Sequence, residues 1–231
     1  MIIRLESNRL RRPAAVLAIF ATALTSAACS SLNKTEKGAI IGAGTGAVVG
    51  GAIGRANGST AKGAIIGAAV GGVVGGIIGK QMDKQADELA QNIPGAKVER
   101  VGEGIQVTFA SGLLFDFDSD RIRPEAATNL RNLASSLDKY PNTDLLIVGH
   151  TDSVGADSYN LSLSDRRARS AAEYLASQNV ARARLRTAGR GETEPVATND
   201  SDTGRGQNRR VEVAIYANES YRNQLKAQYR E

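Results

Sequence analysis

Three hydrophobic regimes succeed one another along the chain. Pro13 to Ala28 is an uncharged, alanine-rich apolar stretch. From Gly38 to Gly79 glycine returns at every fourth position among Ile, Val and Ala. From Lys97 onward, apolar residues recur every two or every three to four positions among polar ones. In this last region Val98, Val101, Ile105, Val107 and Phe109 lie among polar residues around a turn at Gly102 to Gly104, which predicts a two-stranded hairpin. Arg123-Pro124-Glu125 opens a helix with proline in its first turn. Ala127, Leu130, Leu133, Ala134 and Leu137 continue it at helical spacing, and Tyr140-Pro141-Asn142 ends it. Leu145 to Val148 is a short apolar run of strand length, and Ser158 to Gln178 reads as a second helix burying Leu163, Ala168, Ala171, Ala172 and Leu175. Leu185 to Ala188 and Val211, Val213 and Ile215 supply two more strands. Strands interleaved with two helices predict an α+β domain of two layers over residues 97–217, followed by a helical tail over 218–231. Asn199 to Gln207, rich in Asp, Ser, Thr and Gly, reads as a mobile loop.

The glycine region is an internal repeat. Gly38 to Gly54 and Gly63 to Gly79 share thirteen of seventeen positions, with glycines at 38, 42, 46, 50 and 54 and at 63, 67, 71, 75 and 79. Period four lies close to the helical 3.6, so each set forms a slowly drifting stripe on one face. Asn57-Gly58-Ser59 between the copies is a turn signal. The pattern predicts an antiparallel glycine-zipper hairpin over 38–79, either inserted at a membrane or packed on itself, and able to self-associate. Each interior glycine costs about 1 kcal/mol relative to alanine, so such helices need close small-residue packing and a covered outer face. A flexible linker would mix glycine with serine, whereas these gaps hold Ile-Ile, Val-Val and Ala. Lys80 to Gln91 then turns charged and helical before Pro94-Gly95, which reads as a helical spacer over 80–96.

Charge and cysteine usage refine the first regime. Residues 1–12 carry four arginines against one glutamate, and the apolar stretch ends Ser26-Ala27-Ala28-Cys29, the layout of a secretory signal over residues 1–28. Of the formal net charge of +5, that segment carries +3. The remainder is too mild for a nucleic-acid partner, which would need a basic stripe. Cys29 is the one cysteine in the chain, so an intramolecular disulfide is excluded. Its place after two alanines resembles a bacterial lipobox, with Ser26 standing where leucine is usual. The resemblance implies lipidation of Cys29, a tether over 29–37 and, with Ser30 rather than aspartate next, the outer membrane. Ordinary signal cleavage, leaving a free thiol, is the alternative.

The chemistry concentrates at Gly149-His150-Thr151-Asp152 and at Arg167, fifteen residues after the acid. If a strand ends at the acid and a helix carries the base, the two can converge on one zwitterionic ligand. Phe115-Asp116-Phe117-Asp118-Ser119 with Ile122 and Pro124, then Gly149 to Asp152, then Asn160, Leu163-Ser164 and Arg167-Ala168, and finally Asn208-Arg209-Arg210-Val211 occur in one order. Through these motifs the segment from Phe115 to Val213 resembles the OmpA-like peptidoglycan-binding family.

That resemblance implies a βαβαβ fold and non-covalent binding of the peptide stem of peptidoglycan through its diaminopimelate. Asp152 would accept from the ligand ammonium, Arg167 would receive its carboxylate as a planar fork of donors, and Leu163, one turn before Arg167, would wall the pocket. Phe117 and Asp118 would complete the site. Arg209 and Arg210 read as structural ion-pairing residues. His150, the single histidine, reads as a packed or hydrogen-bonding residue that fixes its loop. No second histidine exists for a zinc site and no Gly-x-Ser-x-Gly elbow for a hydrolase. The expectation is therefore a binding protein without metal or cofactor rather than an enzyme, lipid-anchored in the outer membrane and facing the periplasm. The alternative is a peptidoglycan-anchoring subunit of a larger envelope complex, secretion or stator-like.

Overall fold

A computed structural model describes residues 58–229. The signal segment, Cys29, the tether and the first glycine copy lie outside the described residues, as do the last two positions. Among the described residues the strands are β1 (Lys97–Val101), β2 (Gly104–Ala110), β3 (Thr143–Gly149), β4 (Leu185–Gly189) and β5 (Arg210–Ala217). They form one sheet in the order β1-β2-β5-β3-β4. β5 runs antiparallel to both β2 and β3, and β3 runs parallel to β4. The helices are α1 (Thr60–Ala68), α2 (Gly72–Asn92), a single turn α3 (Ser111–Leu114), α4 (Ala126–Lys139), α5 (Asp157–Ser177), α6 (Asp202–Asn208) and α7 (Glu219–Tyr229). The expected α+β fold is present, its βαβαβ path running β2–α4–β3–α5–β4 with β5 inserted at the centre of the sheet.

Alternation along the central strands divides the sheet into two apolar faces. Leu145 and Ile147 of β3 with Val211, Val213 and Ile215 of β5 join the main core, which α2, α4 and α5 cover. Val148 and Ala214, with Tyr216, face the other way and are covered by Ala61, Ala64, Ile65 and Ala68 of α1. The second glycine copy is thus not the single helix expected over Gly63 to Gly79. It divides at Ala69–Gly71, and its halves serve different clusters. Gly71 and Gly72 both adopt left-handed backbone, φ +73 and +59, a conformation that glycine accepts without steric cost. The Glu103 carboxylate from the β1–β2 turn accepts from Val70 N at 2.8 Å and Gly71 N at 2.7 Å, placing an anion at the N-terminal end of α2. Arg222 of α7 donates to Ala68 O at 2.8 Å and closes the C-terminal end of α1.

Two further readings change. The segment 80–96, read as a helical spacer, is helical to Asn92 as the continuation of α2, but its Met82, Ala86 and Leu89 are buried in the main core with Val74 and Ile78. The segment 199–207, read as a mobile loop, forms most of α6, which runs on to Asn208. Ser201 caps it by accepting from Gly204 N, and Asp202 lies in its first turn. Buried Asn208 then fastens the preceding chain, accepting from Val196 N at 2.8 Å and Ala197 N at 3.0 Å. Among the described residues no helix is long and apolar enough to cross a membrane.

Helix α5 crosses β3 and β4 at glycine. A Cβ at Gly149 would lie 2.1 Å from Ser164 O, and one at Gly189 would lie 2.6 Å from Asp165 N. No other residue lets the helix backbone come so near to the strand ends, and this approach seats Ser164 and Asp165, just before Arg167, against the ends of β3 and β4.

Candidate ligand-binding site

The loop leaving β3 is held on two sides. His150 N donates to Arg210 O at 2.9 Å and Thr151 N to Gly191 O at 2.9 Å, while Arg190 N donates to Gly149 O at 3.0 Å. Asp152 follows, buried. Its Oδ1 accepts from Val154 N at 3.1 Å, and its Oδ2 is paired with the Arg209 guanidinium. Asn160, in the first turns of α5, donates to Asp152 O at 3.2 Å and to Glu192 Oε2 at 2.7 Å. The acid is therefore fixed both to the strand ends and to the helix that carries the base.

Asn160, Leu163 and Arg167 recur at helical spacing and share one face of α5. Leu163 and Arg167 are both buried. Arg167 lies seven residues beyond Asn160, about 10 Å along the axis, and side chains on a helix lean toward its N-terminus, which brings the guanidinium back toward the Asp152 loop. Its Nε donates to Ser119 O at 2.8 Å, and its Cζ lies 5.4 Å from the Phe115 ring centroid, a cation–π stack. Burial pulls its pKa below the ordinary arginine value, opposed by the nearby Asp118, Tyr159 and Asp120; an arginine stays charged through such a shift. Among the described residues no carboxylate lies within ion-pairing distance of Arg167, and none joins it to Asp152.

The opening loop, Phe115 to Ile122, bends back through a bridge between those two residues. Asp118 takes left-handed backbone, φ +55, and its carboxylate accepts from the Tyr159 hydroxyl. That hydrogen bond, more than burial, raises the Tyr159 pKa. Asp120 pairs with Arg166 at 3.1 Å. Phe117 projects from the surface, 98% exposed, so the loop ends in an open aromatic edge rather than a finished wall.

Asp118 and Arg167 thus stand near one another, Leu163 lies between Asn160 and Arg167, and Asp152 is tied to the same helix. Sequence reasoning gave no role to Tyr159, Asn160 or the Ser119 carbonyl. Tyr159 and Asn160 precede Leu163 by four and three positions, and that spacing was their available signal. Arg210 lies inside, paired with Glu212 at 2.8 Å and donating to Glu194 O at 3.0 Å. His150 is fully buried with its Nε2 3.8 Å from Glu212 Oε2. Desolvation, then Arg210 and Arg190, hold its pKa well below the usual histidine range.

The site thus combines a strand-end acid pinned to α5 with a buried guanidinium on the same helix that has no carboxylate partner among the described residues. Residues 114–209 match the OmpA family, and residues 10–83 match the YMGG-like Gly-zipper. The chain belongs to the OmpA family. It is 38% identical over 121 residues to the probable lipoprotein YiaD of Escherichia coli (strain K12), covering 52% of this chain and 55% of YiaD. It is 37% identical over 121 residues to a peptidoglycan-associated lipoprotein of Brucella melitensis, covering 52% of this chain and 72% of that protein. Among solved structures it is similar to the cell wall anchor of the T6SS from Pseudomonas aeruginosa, at 36% identity and a TM-score of 0.52 over 58% of this chain and 96% of that one. The aligned stretch thus spans about half of YiaD.

Proposed function

We propose that this protein binds peptidoglycan without covalent chemistry, through the diaminopimelate of the peptide stem, and tethers the outer membrane to the cell wall as a lipoprotein. The observation that carries the reading is Arg167: a buried guanidinium, stacked on Phe115 and fastened by Nε alone, with no carboxylate partner among the described residues. A buried charge is costly until it is paired, so the ligand carboxylate is the missing counterion. With Nε committed to Ser119 O, the two terminal nitrogens remain for a bidentate bond. The ammonium on the same ligand carbon would meet Asp152, an acceptor-only group, and Leu163 would line the aliphatic stem. Asp152 would share its charge between that ammonium and Arg209, whose side chain is 43% exposed and able to yield.

Lipidation at Cys29 and residence in the outer membrane, facing the periplasm, belong to the same proposal; the similarity to YiaD and to the peptidoglycan-associated lipoprotein supports them. The likeness to a cell wall anchor supports a second reading, in which the same binding anchors a subunit of a larger envelope complex. Pull-down with isolated peptidoglycan tests the common part. Wild-type protein should sediment with diaminopimelate-type sacculi and poorly with lysine-type, and Arg167→Ala should remain in the supernatant. Equal retention of both proteins on both wall types would end the proposal. Mass spectrometry of the mature N-terminus tests the anchor, and the retention of stoichiometric protein partners after gentle extraction would favour the second reading.

A further inference from the structure

Arg167 does not lack carboxylates nearby. Two of them, on Asp118 and Asp120, lie in the opening loop close enough to act on its charge. Left to themselves, a buried guanidinium and a carboxylate on an adjoining loop would close into an ion pair, and the site would be filled by its own chain. Each acid is instead held by a different side chain of α5. Asp120 is paired with Arg166 at 3.1 Å, and Arg166 is itself steadied by Ser162 Oγ at 2.8 Å. Asp118 accepts from the Tyr159 hydroxyl. Asp118 also sits in left-handed backbone, uncommon for a residue with a Cβ.

We infer that Tyr159 is a positioning residue: by holding the Asp118 carboxylate it keeps the Arg167 guanidinium open for the carboxylate of an incoming ligand. Arg166 does the same for Asp120. The inference rests on the reading that Arg167 receives a ligand carboxylate. A phenol is suited to this task because it occupies one acceptor lone pair without bringing a charge into the site. Its raised pKa keeps it a donor across the physiological range.

The test uses Tyr159→Phe, which removes one oxygen and keeps the ring. Without its donor, Asp118 turns to Arg167. The full-length variant should bind a soluble diaminopimelate-containing muropeptide about tenfold more weakly than wild type by calorimetry. Adding Asp118→Asn to Tyr159→Phe should restore binding to the level of Asp118→Asn alone, since a neutral amide does not compete for the guanidinium. A tyrosine that merely touched the ligand or propped the loop would give no such rescue, and failure of the double variant to recover overturns the inference. A ligand-free crystal structure of Tyr159→Phe separates the two layers. Asp118 found within about 4 Å of Arg167 sustains the role of Tyr159 even if the wild type proves not to bind the muropeptide, which would defeat the ligand assignment alone. Asp118 found unmoved overturns the role of Tyr159.

Discussion

Arg209 pairs with Asp152 across 57 residues of sequence, so the acid expected to receive a cation already has one at its side. The pair fixes the direction in which Asp152 presents its charge, because its other oxygen is taken up by Val154 N. On the proposed reading Arg209 acts on a ligand through Asp152. Asp152→Asn, nearly isosteric, should weaken muropeptide binding about tenfold with little change in melting temperature. Asp152→Asn combined with Arg209→Ala should lose no more than Asp152→Asn alone, because residues serving one contact are not additive. A further tenfold loss in the double variant, read by calorimetry, would make Arg209 an independent ligand contact.

The placement of Asp152 and Arg167 in the fold was legible because each sits in a motif with its own local geometry: the loop after a strand end for Asp152 and a helix face for Arg167. The Asp152–Arg209 pairing was not, since a contact across 57 residues depends on β5 lying between β2 and β3, an order that no local pattern encodes. The break in the second glycine copy was hidden for a different reason. Glycine every fourth residue fits a helical stripe and also supplies the left-handed positions that end one. What decides between them is tertiary: Glu103 and Arg222 waiting at the break, and an apolar sheet face at Val148, Ala214 and Tyr216 for Ile65 to cover. In α6, loop-like composition outweighed the capping signal of Ser201 and Asp202, because seven residues are too few for an apolar period to show.

Histidine provides a pH test of the buried strand end. His150 has a folded-state pKa well below its unfolded value, from burial first and the neighbouring Arg210 and Arg190 second. The unfolded chain therefore binds a proton that the folded chain refuses. The stability tied to neutral His150 is whole above about pH 6.5 and is lost as pH falls below it, by at most about 1.4 kcal/mol per pH unit. Since the chain has one histidine, its ring resonances can be followed without assignment. They should stay in the neutral position at pH 5.5 while the protein remains folded. Titration near pH 6.5 in the folded state would show the ring to be accessible.

The glycine-rich segment should also be tested as part of the fold. Val74, Ile78, Met82 and Leu89 are each no more than 1% exposed, and full burial of such side chains contributes about 1.5–3 kcal/mol apiece. Their sum is comparable with the whole stability of a domain, about 5–15 kcal/mol. A fragment beginning at residue 58 should unfold cooperatively in urea. One beginning at residue 97, where the sequence pattern alone would start the domain, should be unfolded or molten, with strong binding of an apolar dye. A stable, cooperatively folded 97–229 fragment would show that α1 and α2 only rest on the domain.

Arg167 joins stability and binding in opposite directions, which gives the sharpest prediction. In the free protein its charge is buried with no carboxylate partner among the described residues, held by one bond to Ser119 O and the face of Phe115. Asp118 and Asp120 act on this charge without pairing with it, so replacing it by an apolar side chain of similar length removes a desolvation cost that the free protein offsets only in part. Arg167→Met should therefore melt at the same temperature as the wild type or above it, while losing peptidoglycan retention by roughly ten- to a hundredfold. Arg167→Lys should not rescue binding, since an ammonium keeps the charge but has neither the planar fork nor the stacking face. Thermal melts and pull-downs of the two variants, run side by side, settle the matter. If Arg167→Met is both unstable and non-binding, the arginine holds the fold together and its role in binding is indirect. If Arg167→Lys binds as wild type does, a charge suffices and the bidentate geometry proposed for the site is wrong.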